Sequence, residues 1–503
     1  MSDAATIAKR HLLAVDGMPE VGELTPSSVQ IVVHDDWAAS AAGQFLVICL
    51  VNLLVRQAKF VSRVSVLAKT SALQVRLPSG RTIAPFPECL PEIGLWAVLD
   101  AIPVSTEQMR QADFTIFVGP PLGMPQSDAG HALAVVGAGW LAWIGDPSAA
   151  TDVAHPRSKN PLGPFLAASL ASGEIYKRVR GIRRGRYLES NGYSLWSGQS
   201  APDYLELEDG PELVGLNLQP LHIAGLGAVG NGLAYIIANA DFHDPYIVLI
   251  DDDSYDGTNL NRCVLAGWVN LEQPKVQSVS DALNLAGVPN LPFKGTVRQY
   301  LARPITGLRQ DVAEATANLE FHVVASCVDK GISRHDVQGL HPKLLLGGST
   351  LDLKARANVY SLWPGAACLG CHNPAERDGE KLRALEKQLN AMPPDERRRF
   401  LEQNALDSLA IEQHLAEAKC GTVGEAALRD FASRSAPEFS VGFVSLGASL
   451  LLASALFRHT LFADSNSRVA DMTTLNYLNG GFSDAGLSAD HKCELGCRTS
   501  MQT

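Results

Sequence analysis

The sequence predicts an α/β protein that contains two Rossmann-like folds. An apolar strand, a turn and an apolar helix follow one another from Val29 and again from Leu221. Only the second copy has a glycine-rich turn of the kind that receives phosphates, Gly225-x-Gly227-x-x-Gly230. The chain of 503 residues is also too long for one hydrophobic core, and we expect two or three domains.

The first copy has the α/β rhythm without residues for nucleotide chemistry. Its predicted elements are a strand at Val29–Val33, a helix at Trp37–Arg56, a strand at Val64–Ala68, and later elements at Phe114–Val118 and Leu133–Ile144. At the first strand-to-helix turn stands His34-Asp-Asp-Trp37 in place of glycines, so a phosphate could not approach the backbone closely. We interpret this copy as a nucleotide fold that has lost its nucleotide, with an unrelated α/β partner domain as the alternative.

The second copy combines its glycine turn with an acidic residue one strand later. A turn of this type alone is found in any dinucleotide-type fold that lays phosphates on a helix N-terminus. After the next strand, Tyr246–Ile250, comes Asp251, placed to take ribose hydroxyls, with Asp253 two residues on. These residues predict a bound nucleotide.

Three further residues favour a triphosphate over NAD. Asn259, Arg262 and Lys275 add one amide and two cations downstream of Asp251. An NAD site needs no such cations beyond its pyrophosphate turn, whereas a triphosphate attacked at its α-phosphorus does. The pattern therefore predicts a nucleoside triphosphate, which the family resemblance described next implies to be ATP.

At these residues the sequence resembles the ThiF/MoeB/ubiquitin-activating superfamily of adenylating enzymes. The resemblance implies that the three glycines form the family's phosphate turn, that Asp251 binds ribose, and that Asn259, Arg262 and Lys275 bind phosphates. It further implies that VVASCVDKGISR carries the family's magnesium-associated aspartate, Asp329, with Arg334 at the matching distance. Lys330 stands where the family usually has asparagine, and an acidic residue is common at the position of Ser326.

The resemblance also implies how the two copies work together. In the family, an active adenylation domain pairs with a second copy, either an identical subunit or an inactive copy in the same chain. We therefore expect a pseudo-dimeric monomer or a homodimer. The basic run Lys177–Arg186 is typical of a solvated face, but the family's partner arginine suggests that Arg183, Arg184 or Arg186 reaches the triphosphate.

Two cysteine pairs predict a zinc knuckle. Cys368-Leu-Gly-Cys371 and Cys493-Glu-Leu-Gly-Cys497 each contain a glycine suited to a knuckle turn, and four thiolates suit tetrahedral Zn²⁺. Many members of the family carry two such pairs in this place. The alternative is free thiols.

The segment between the cysteine pairs is charged and helical in pattern, unlike its apolar flanks. Cys420 is the one cysteine in it, with Lys419 adjacent. In the ubiquitin-activating type, this insertion carries the thiol that receives the ubiquitin-like protein, and the alternative is a small half-buried residue. The expected domains are an inactive adenylation-like domain at 1–200, an active one at 201–371 and 436–503, and a helical catalytic-cysteine insertion at 372–435.

Charge and composition exclude several classes of protein. A net charge of -11 argues against binding to a phosphate backbone, so no nucleic acid is expected. The N-terminus lacks the apolar core of a secretory signal, and the runs Phe45–Val55 and Val441–Phe457 are typical of buried helices rather than membrane spans. Nine cysteines without a signal predict a cytoplasmic protein with metal-binding or catalytic thiols.

The predicted activity is ATP-dependent activation of a ubiquitin-like protein. Its C-terminal glycine would be adenylated with MgATP, transferred to Cys420 as a thioester, and passed to a conjugating enzyme. The layout most resembles the activating enzymes of bacterial Bil or Bub conjugation operons, which implies a role in antiphage defence. The alternatives are a sulfur-carrier adenylyltransferase without a thioester, an NAD(P)-dependent oxidoreductase, and a non-enzymatic scaffold.

Overall fold

The fold is known from a computed structural model of the chain. The structure describes residues 4–15, 17–80, 82–121, 131–150, 156, 158–182, 190–303, 306–318, 320–360, 366–373, 376–404, 406–416, 422–434, 439–462, 470–490, 493 and 495. These residues divide into two compact units. The sheet unit comprises Met1–Val328, Leu340–Leu362 and Phe439–Leu487, and the helical unit comprises Asp329–Gly339, Trp363–Glu438 and Ser488–Thr503.

The sheet unit contains two eight-stranded sheets with the same strand order. The first sheet has the order β3-β2-β1-β4-β5-β6-β7-β8, and the second has the order β11-β10-β9-β12-β13-β14-β15-β16. In each sheet the first five strands in this order are parallel to one another, and each of the last three pairs antiparallel with the strand before it. The first sheet comprises β1 (Ser27–Val33), β2 (Val61–Leu67), β3 (Val104–Ser105), β4 (Phe114–Val118), β5 (His131–Ala138), β6 (Leu141–Gly145), β7 (Asn191–Ser194) and β8 (Ser200–Ala201). The second comprises β9 (Leu221–Ala224), β10 (Ile247–Asp251), β11 (Asn290–Lys294), β12 (Val323–Ser326), β13 (Leu344–Leu351), β14 (Lys354–Tyr360), β15 (Met472–Asn476) and β16 (Gly481–Ala485).

The central strands of both sheets are apolar and buried. Every residue of β4 and β9 is buried, as expected for parallel strands inside an α/β layer. The α-helices described in the sheet unit are α1 (Ala4–Ala8), α2 (Asp35–Ala38), α3 (Ala41–Leu54), α4 (Pro91–Val98), α5 (Leu162–Arg180), α6 (Ala228–Asn239), α7 (Lys275–Leu285), α8 (Val297–Ala302), α9 (Gln310–Ala317) and, later in the chain, α15 (Gly442–Leu461).

The predicted helix at Trp37–Arg56 is wrong in one respect, because the structure divides it into α2 and α3. Ser40 lies between them in an extended conformation, and its Oγ accepts the N–H of Gly43 at 3.0 Å. A serine in this position is a strong N-cap, so α3 starts anew after it.

Four helices join the two sheets in one core. The helix α5 packs against α3 and α15, and α15 packs against α6. The rings of Phe165 on α5 and Tyr235 on α6 stack with centroids 4.7 Å apart. Among the described helices, α15 is long and apolar enough to cross a membrane, but 83% of its most apolar window is buried inside the protein, which is typical of a core helix.

The helical unit has a small core of its own. It contains α10 (Gly331–Gln338), α11 (Glu376–Ala391), α12 (Pro394–Gln403), α13 (Ser408–Ala416) and α14 (Val423–Arg434). Leucines 389, 401 and 428 are fully buried with Ile411 in this core. The helical pattern predicted for the charged segment is therefore confirmed over its described residues.

Candidate nucleotide site

The glycine turn joins β9 to α6, and each of its glycines answers a different steric demand. Gly225 has a φ of +89°, and a Cβ there would lie 2.8 Å from the carbonyl carbon of Cys327. At Gly230 a Cβ would lie 2.0 Å from the carbonyl oxygen of Gly225, so the helix can approach the turn only with glycine. At Gly227, the N-cap of α6, a Cβ would meet none of the described atoms within 4 Å. Gly225 and Gly230 therefore shape the turn, and Gly227 leaves open space at a helix N-terminus.

Asp251 at the end of β10 holds this turn in place. Its carboxylate accepts the N–H of Leu226 at 2.5 Å and the N–H of Asp253 at 2.8 Å. Burial raises the pKa of Asp251, and nearby Lys275 and these two backbone donors partly offset that rise. Asp251 thus links the glycine turn to the loop that follows β10, a contact that sequence spacing did not predict.

Lys275 at the start of α7 is a buried cation paired with the same loop. Its side chain donates to Asp253 Oδ2 at 2.8 Å, and its backbone N–H donates to the carbonyl of Asp253 at 3.0 Å. Burial lowers the pKa of Lys275, but the charge of Asp251 and the bond to Asp253 outweigh burial, and the net pKa is raised. Lys275 therefore stays protonated at neutral pH.

Asn259 and Arg262 lie on the loop between β10 and α7. Asn259 ends a 3₁₀ turn, Gly257–Asn259, that is capped by Asp256, and its Oδ1 accepts the Asp256 N–H. Arg262 is 9% exposed, and its Nη1 donates to the carbonyl of Thr258 at 2.5 Å and to Asn261 Oδ1 at 3.0 Å. The loop therefore fixes both side chains from within.

Asp329 and Arg334 belong to the helical unit. Asp329 is exposed and precedes Lys330, the N-cap of α10. Arg334 on α10 donates to the side-chain oxygen of Asn373, and His335 bonds to the Asn373 carbonyl at 2.9 Å. Their predicted roles near magnesium stay predictions.

Three of the four predicted zinc ligands lie together in the helical unit. The sulfur atoms of Cys368, Cys371 and Cys493 lie within 4.8 Å of one another, with Cys368 at 3.7 Å from Cys371 and 3.4 Å from Cys493. Two thiolates bound to one tetrahedral zinc at about 2.3 Å are about 3.8 Å apart. The three residues therefore fit zinc, whereas Cys497 lies outside the described residues.

Several predicted residues lie outside the described part of the chain. They are Cys420 and the arginines Arg183, Arg184 and Arg186. Among the described cysteines near the nucleotide loops, Cys263 is buried, and burial raises its pKa and raises that of Cys327 to about 12. Neither thiol is therefore suited to act as a nucleophile at neutral pH.

A chain of polar contacts that the sequence did not reveal lies in the helical unit. His414 is 5% exposed, and its Nε2 lies 2.8 Å from Glu386 Oε1 while its Nδ1 lies 3.0 Å from Thr422 Oγ1. A carboxylate orients the ring, and the ring can then accept a proton at its other nitrogen. A histidine among apolar residues was the available signal, but Glu386 lies 28 residues away from it in the chain.

The sheet unit also holds the nucleotide loops through polar side chains on buried helices. Asn231 on α6 accepts the N–H of Leu265 at 2.8 Å and donates to the Tyr255 hydroxyl at 2.8 Å. From α3, Asn52 donates to the carbonyl of Val264 at 3.0 Å. Amides inside otherwise apolar helices were the only sequence signal for these contacts.

The structure defines an α/β protein with two Rossmann-like sheets, one of which carries a glycine turn at a helix N-terminus. Residues 28–191 match the BilD N-terminal domain, and residues 215–494 match the ThiF family. The second match spans 280 of the 503 residues, and the chain belongs to the ThiF family.

Individual relatives match shorter segments. A bacterial E1-like protein BilD from Collimonas sp. (strain OK412) is 30% identical over 130 residues, which are 25% of this chain and 28% of that protein. The molybdopterin-synthase adenylyltransferase of Escherichia coli (strain K12) is 26% identical over 153 residues, 30% of this chain and 56% of that protein. The chain thus matches less than two thirds of either relative's length. A crystal structure of E. coli MccB with ATP aligns at a TM-score of 0.35 and 14% identity, over 56% of this chain and 67% of that chain.

Proposed function

We propose that the chain is an enzyme that adenylates the C-terminal carboxylate of a ubiquitin-like protein. The observation that carries the proposal is the group formed by the glycine turn, Asp251 and Lys275. The Asp251 carboxylate accepts backbone N–H groups from both the glycine turn and the loop after β10. The buried, protonated side chain of Lys275 donates to Asp253 on that loop. Membership of the ThiF family supports this chemistry.

In the adenylation step, the carboxylate of the protein tail attacks the α-phosphorus of ATP. A bond forms between the carboxylate oxygen and phosphorus, the bond to the β-phosphate oxygen breaks, and pyrophosphate leaves with the electron pair. The tail carboxylate has a pKa of about 3.3 and is already ionised, so no general base is needed. Lys275 and Arg262 stabilise the charge that builds on the phosphates, and Asn259 positions them.

The nucleotide is held by the remaining site residues. Asp251 accepts ribose hydroxyls with the lone pairs that its two backbone donors leave available, and the open N-terminus of α6 at Gly227 receives the phosphates. Magnesium bound with the triphosphate would take oxygen ligands and would neutralise part of the phosphate charge. Asp329 is its proposed protein ligand on the family resemblance alone.

The binding and exchange of ATP test the adenylation step. Lys275→Met is expected to lower ATP–pyrophosphate exchange about 10²- to 10³-fold, because one preorganised cation is lost from the phosphates. The matched control is Lys69→Met, which removes an exposed lysine that pairs with Asp35 at 3.5 Å in the first half of the chain. Exchange that survives in Lys275→Met, or wild-type protein that binds no ATP, would refute the proposal.

In the second step, the sulfur of Cys420 attacks the acyl carbon and AMP leaves with the electron pair of the broken C–O bond. His414 is the proposed acceptor of the thiol proton, because Glu386 orients its ring and its second partner, Thr422, is two residues from Cys420 in the chain. The thioester is then passed to a conjugating enzyme. The match to the BilD N-terminal domain and to an E1-like BilD protein supports an E1-like route. The proposed role in antiphage defence rests on the family resemblance alone.

A non-reducing gel with ATP and a glycine-ended ubiquitin-like protein tests the thioester. The adduct should be lost with dithiothreitol and absent in Cys420→Ala, and it should form more slowly in His414→Gln while pyrophosphate exchange is unchanged. The similarity to a molybdopterin-synthase adenylyltransferase favours a second candidate, a sulfur-carrier adenylyltransferase. That candidate predicts full exchange and no cysteine-linked adduct.

The cysteine cluster is proposed as a structural zinc site. Zinc bound by Cys368, Cys371, Cys493 and Cys497 would join the C-terminal tail to the loop at 368–371. One zinc per chain is expected from metal analysis, and Cys368→Ser should release it. Purified protein without stoichiometric zinc would exclude the site.

A further inference from the structure

Arg56 of the first half is buried against the loop of the second half that carries Asn259 and Arg262. It lies just after α3 and is fully buried. Its Nη1 donates to the carbonyl of Leu260 at 2.7 Å, and its Nε donates to Asn52 Oδ1 at 2.9 Å. Leu260 lies between Asn259 and Arg262, so Arg56 contacts the backbone of the loop that carries both of these residues.

The same surface of the first half holds the rest of this loop. The amide of Asn52 donates to the carbonyl of Val264, so Arg56 and Asn52 grip residues 260 and 264 on either side of Arg262. The guanidinium carbon of Arg56 lies 5.4 Å from the ring centroid of Trp96 on α4. A Cβ at Gly267 would lie 2.4 Å from the carbonyl oxygen of Trp96, so this part of the loop also packs closely on the first half.

The N-terminal helix extends this contact to the start of the loop. α1 packs on the 3₁₀ turn Gly257–Asn259, where a Cβ at Gly257 would lie 2.9 Å from the Thr6 methyl. The first half thus supports the second half's loop from residue 257 to residue 267.

Stability does not account for a charged side chain in this place. Burial lowers the pKa of Arg56 to about 10, even though Cys263, Tyr255 and Tyr235 favour its charged form, and the guanidinium is still protonated at neutral pH. Its Nη2 has no hydrogen-bond partner among the residues that the structure describes. An apolar side chain of similar volume would avoid the cost of burying a charge.

We propose that Arg56 is a positioning residue for the triphosphate: it clamps the loop of Asn259 and Arg262 and keeps a fixed positive charge behind it. The inference rests on the proposed function, because it takes this loop to bind ATP phosphates. A buried charge acts over a longer range than an exposed one, since little water screens it. The first half, which lacks a glycine turn, would then contribute to catalysis through the loop of the other half.

The test compares the affinities for MgATP and for adenosine, measured by calorimetry. Arg56→Met is expected to weaken MgATP about tenfold, because charge and clamp are lost, and to leave adenosine unchanged, because Asp251 and the glycine turn are intact. The matched control is Arg76→Met, since Arg76 is an exposed arginine of the first half whose Nη1 also donates to a carbonyl of the second half, that of Ala238 at 3.0 Å. This control should bind both ligands like the wild type.

Two results would overturn the inference. One is an unchanged ATP affinity in Arg56→Met, and the other is an equal loss for ATP and adenosine, which is the signature of a merely structural role. If Arg56→Met does not fold, Arg56→Lys keeps the charge but not the planar donors, and it should still weaken ATP several-fold without affecting adenosine. Unchanged ATP affinity in that variant also refutes the inference. Wild-type protein that binds no ATP would instead refute the proposed function.

Discussion

The strand-to-helix turns of the two halves start from equivalent strands of the two sheets, β1 and β9, and differ in what fills the space beside the strand end. In the first half, β1 connects to α3 through residues 34–40, whereas in the second half β9 connects to α6 through residues 225–227. The longer connection forms the helical turn α2. A short connection leaves a helix N-terminus open to a ligand, and a longer one covers it with protein.

Both halves nevertheless keep the same close approach of helix to turn. Gly43 and Gly230 are each the third residue of their helix, and a Cβ would lie 2.0 Å from a carbonyl oxygen in both cases, that of Trp37 or that of Gly225. This shared contact indicates that the first half retains the packing of a glycine turn while its loop has changed.

Each half has a glycine with a positive φ at a strand end, but the glycine follows a different strand in each half. In the second half, Gly225 after β9 packs on the backbone of Cys327 after β12. In the first half, Gly119 after β4 has a φ of +87° and makes room for the indole of Trp37, which a Cβ would meet at 2.5 Å. Trp37 is 1% exposed and occupies the switch point between β1 and β4, where ligands bind in such folds.

The largest expected effect comes from removing this tryptophan. Trp37→Ala should cost about 3–5 kcal/mol of unfolding free energy, because a large buried ring is lost. ATP affinity should stay within about twofold, and calorimetry should still count one ATP per chain, since an emptied pocket does not supply a phosphate turn. Urea denaturation and ATP titration check both values, and a second bound ATP would contradict the comparison.

The paired glycines come next. Gly43→Ala and Gly230→Ala should each cost about 3 kcal/mol, because in both a methyl group is forced against a backbone carbonyl. Only Gly230→Ala should also abolish ATP binding under conditions where both variants are folded. Equal ATP affinity in the two variants would mean that the halves do not differ in the way proposed.

Acid should weaken both halves through one buried histidine each. Burial lowers the pKa of His11 to about 4; the hydrogen bond to the Ala58 carbonyl opposes this shift, and the charge of Arg180 adds to it. Burial lowers the pKa of His222 to about 3, and Arg303 and His322 contribute to the same shift. A depressed pKa means that the folded state binds fewer protons, so stability is lost as the pH falls below about 6.5.

From pH 7 to pH 5 each histidine should cost about 2 kcal/mol. Denaturant titrations at the two pH values measure this loss. His11→Gln and His222→Gln should each remove one increment of it, and a wild-type stability that is independent of pH over this range would contradict the expectation.

The smallest effect is expected at Gly227. Gly227→Ala places a methyl in open space with φ at -61°, a value that alanine adopts, so the unfolding free energy should change by only a few tenths of a kcal/mol. ATP should bind about fivefold more weakly, because the methyl projects where phosphates approach the helix N-terminus. An unchanged affinity for ATP would show that the phosphates lie elsewhere.

The sequence predicted features that depend on local spacing. Gly225 and Lys275 lie within one β-α-β-α segment, and the proximity of Cys493 to Cys368 followed from a repeated motif. The contacts of Arg56 and Asn52 could not be predicted in this way, because 204 and 212 residues separate them from their partners. The contact between Trp37 and Gly119 could not be predicted for the same reason, although the absence of glycines at 34–37 predicted a changed turn.

The position of α15 along the chain has a consequence for synthesis. Ser169 on α5 donates to the carbonyl of Phe443 on α15, across 274 residues, and Phe443 is synthesised after the segments Asp329–Gly339 and Trp363–Glu438 of the helical unit. During translation, the apolar face of α5 therefore cannot pack against α15 until most of the polypeptide has left the ribosome. Such late closure favours slow maturation and exposes the nascent protein to chaperones.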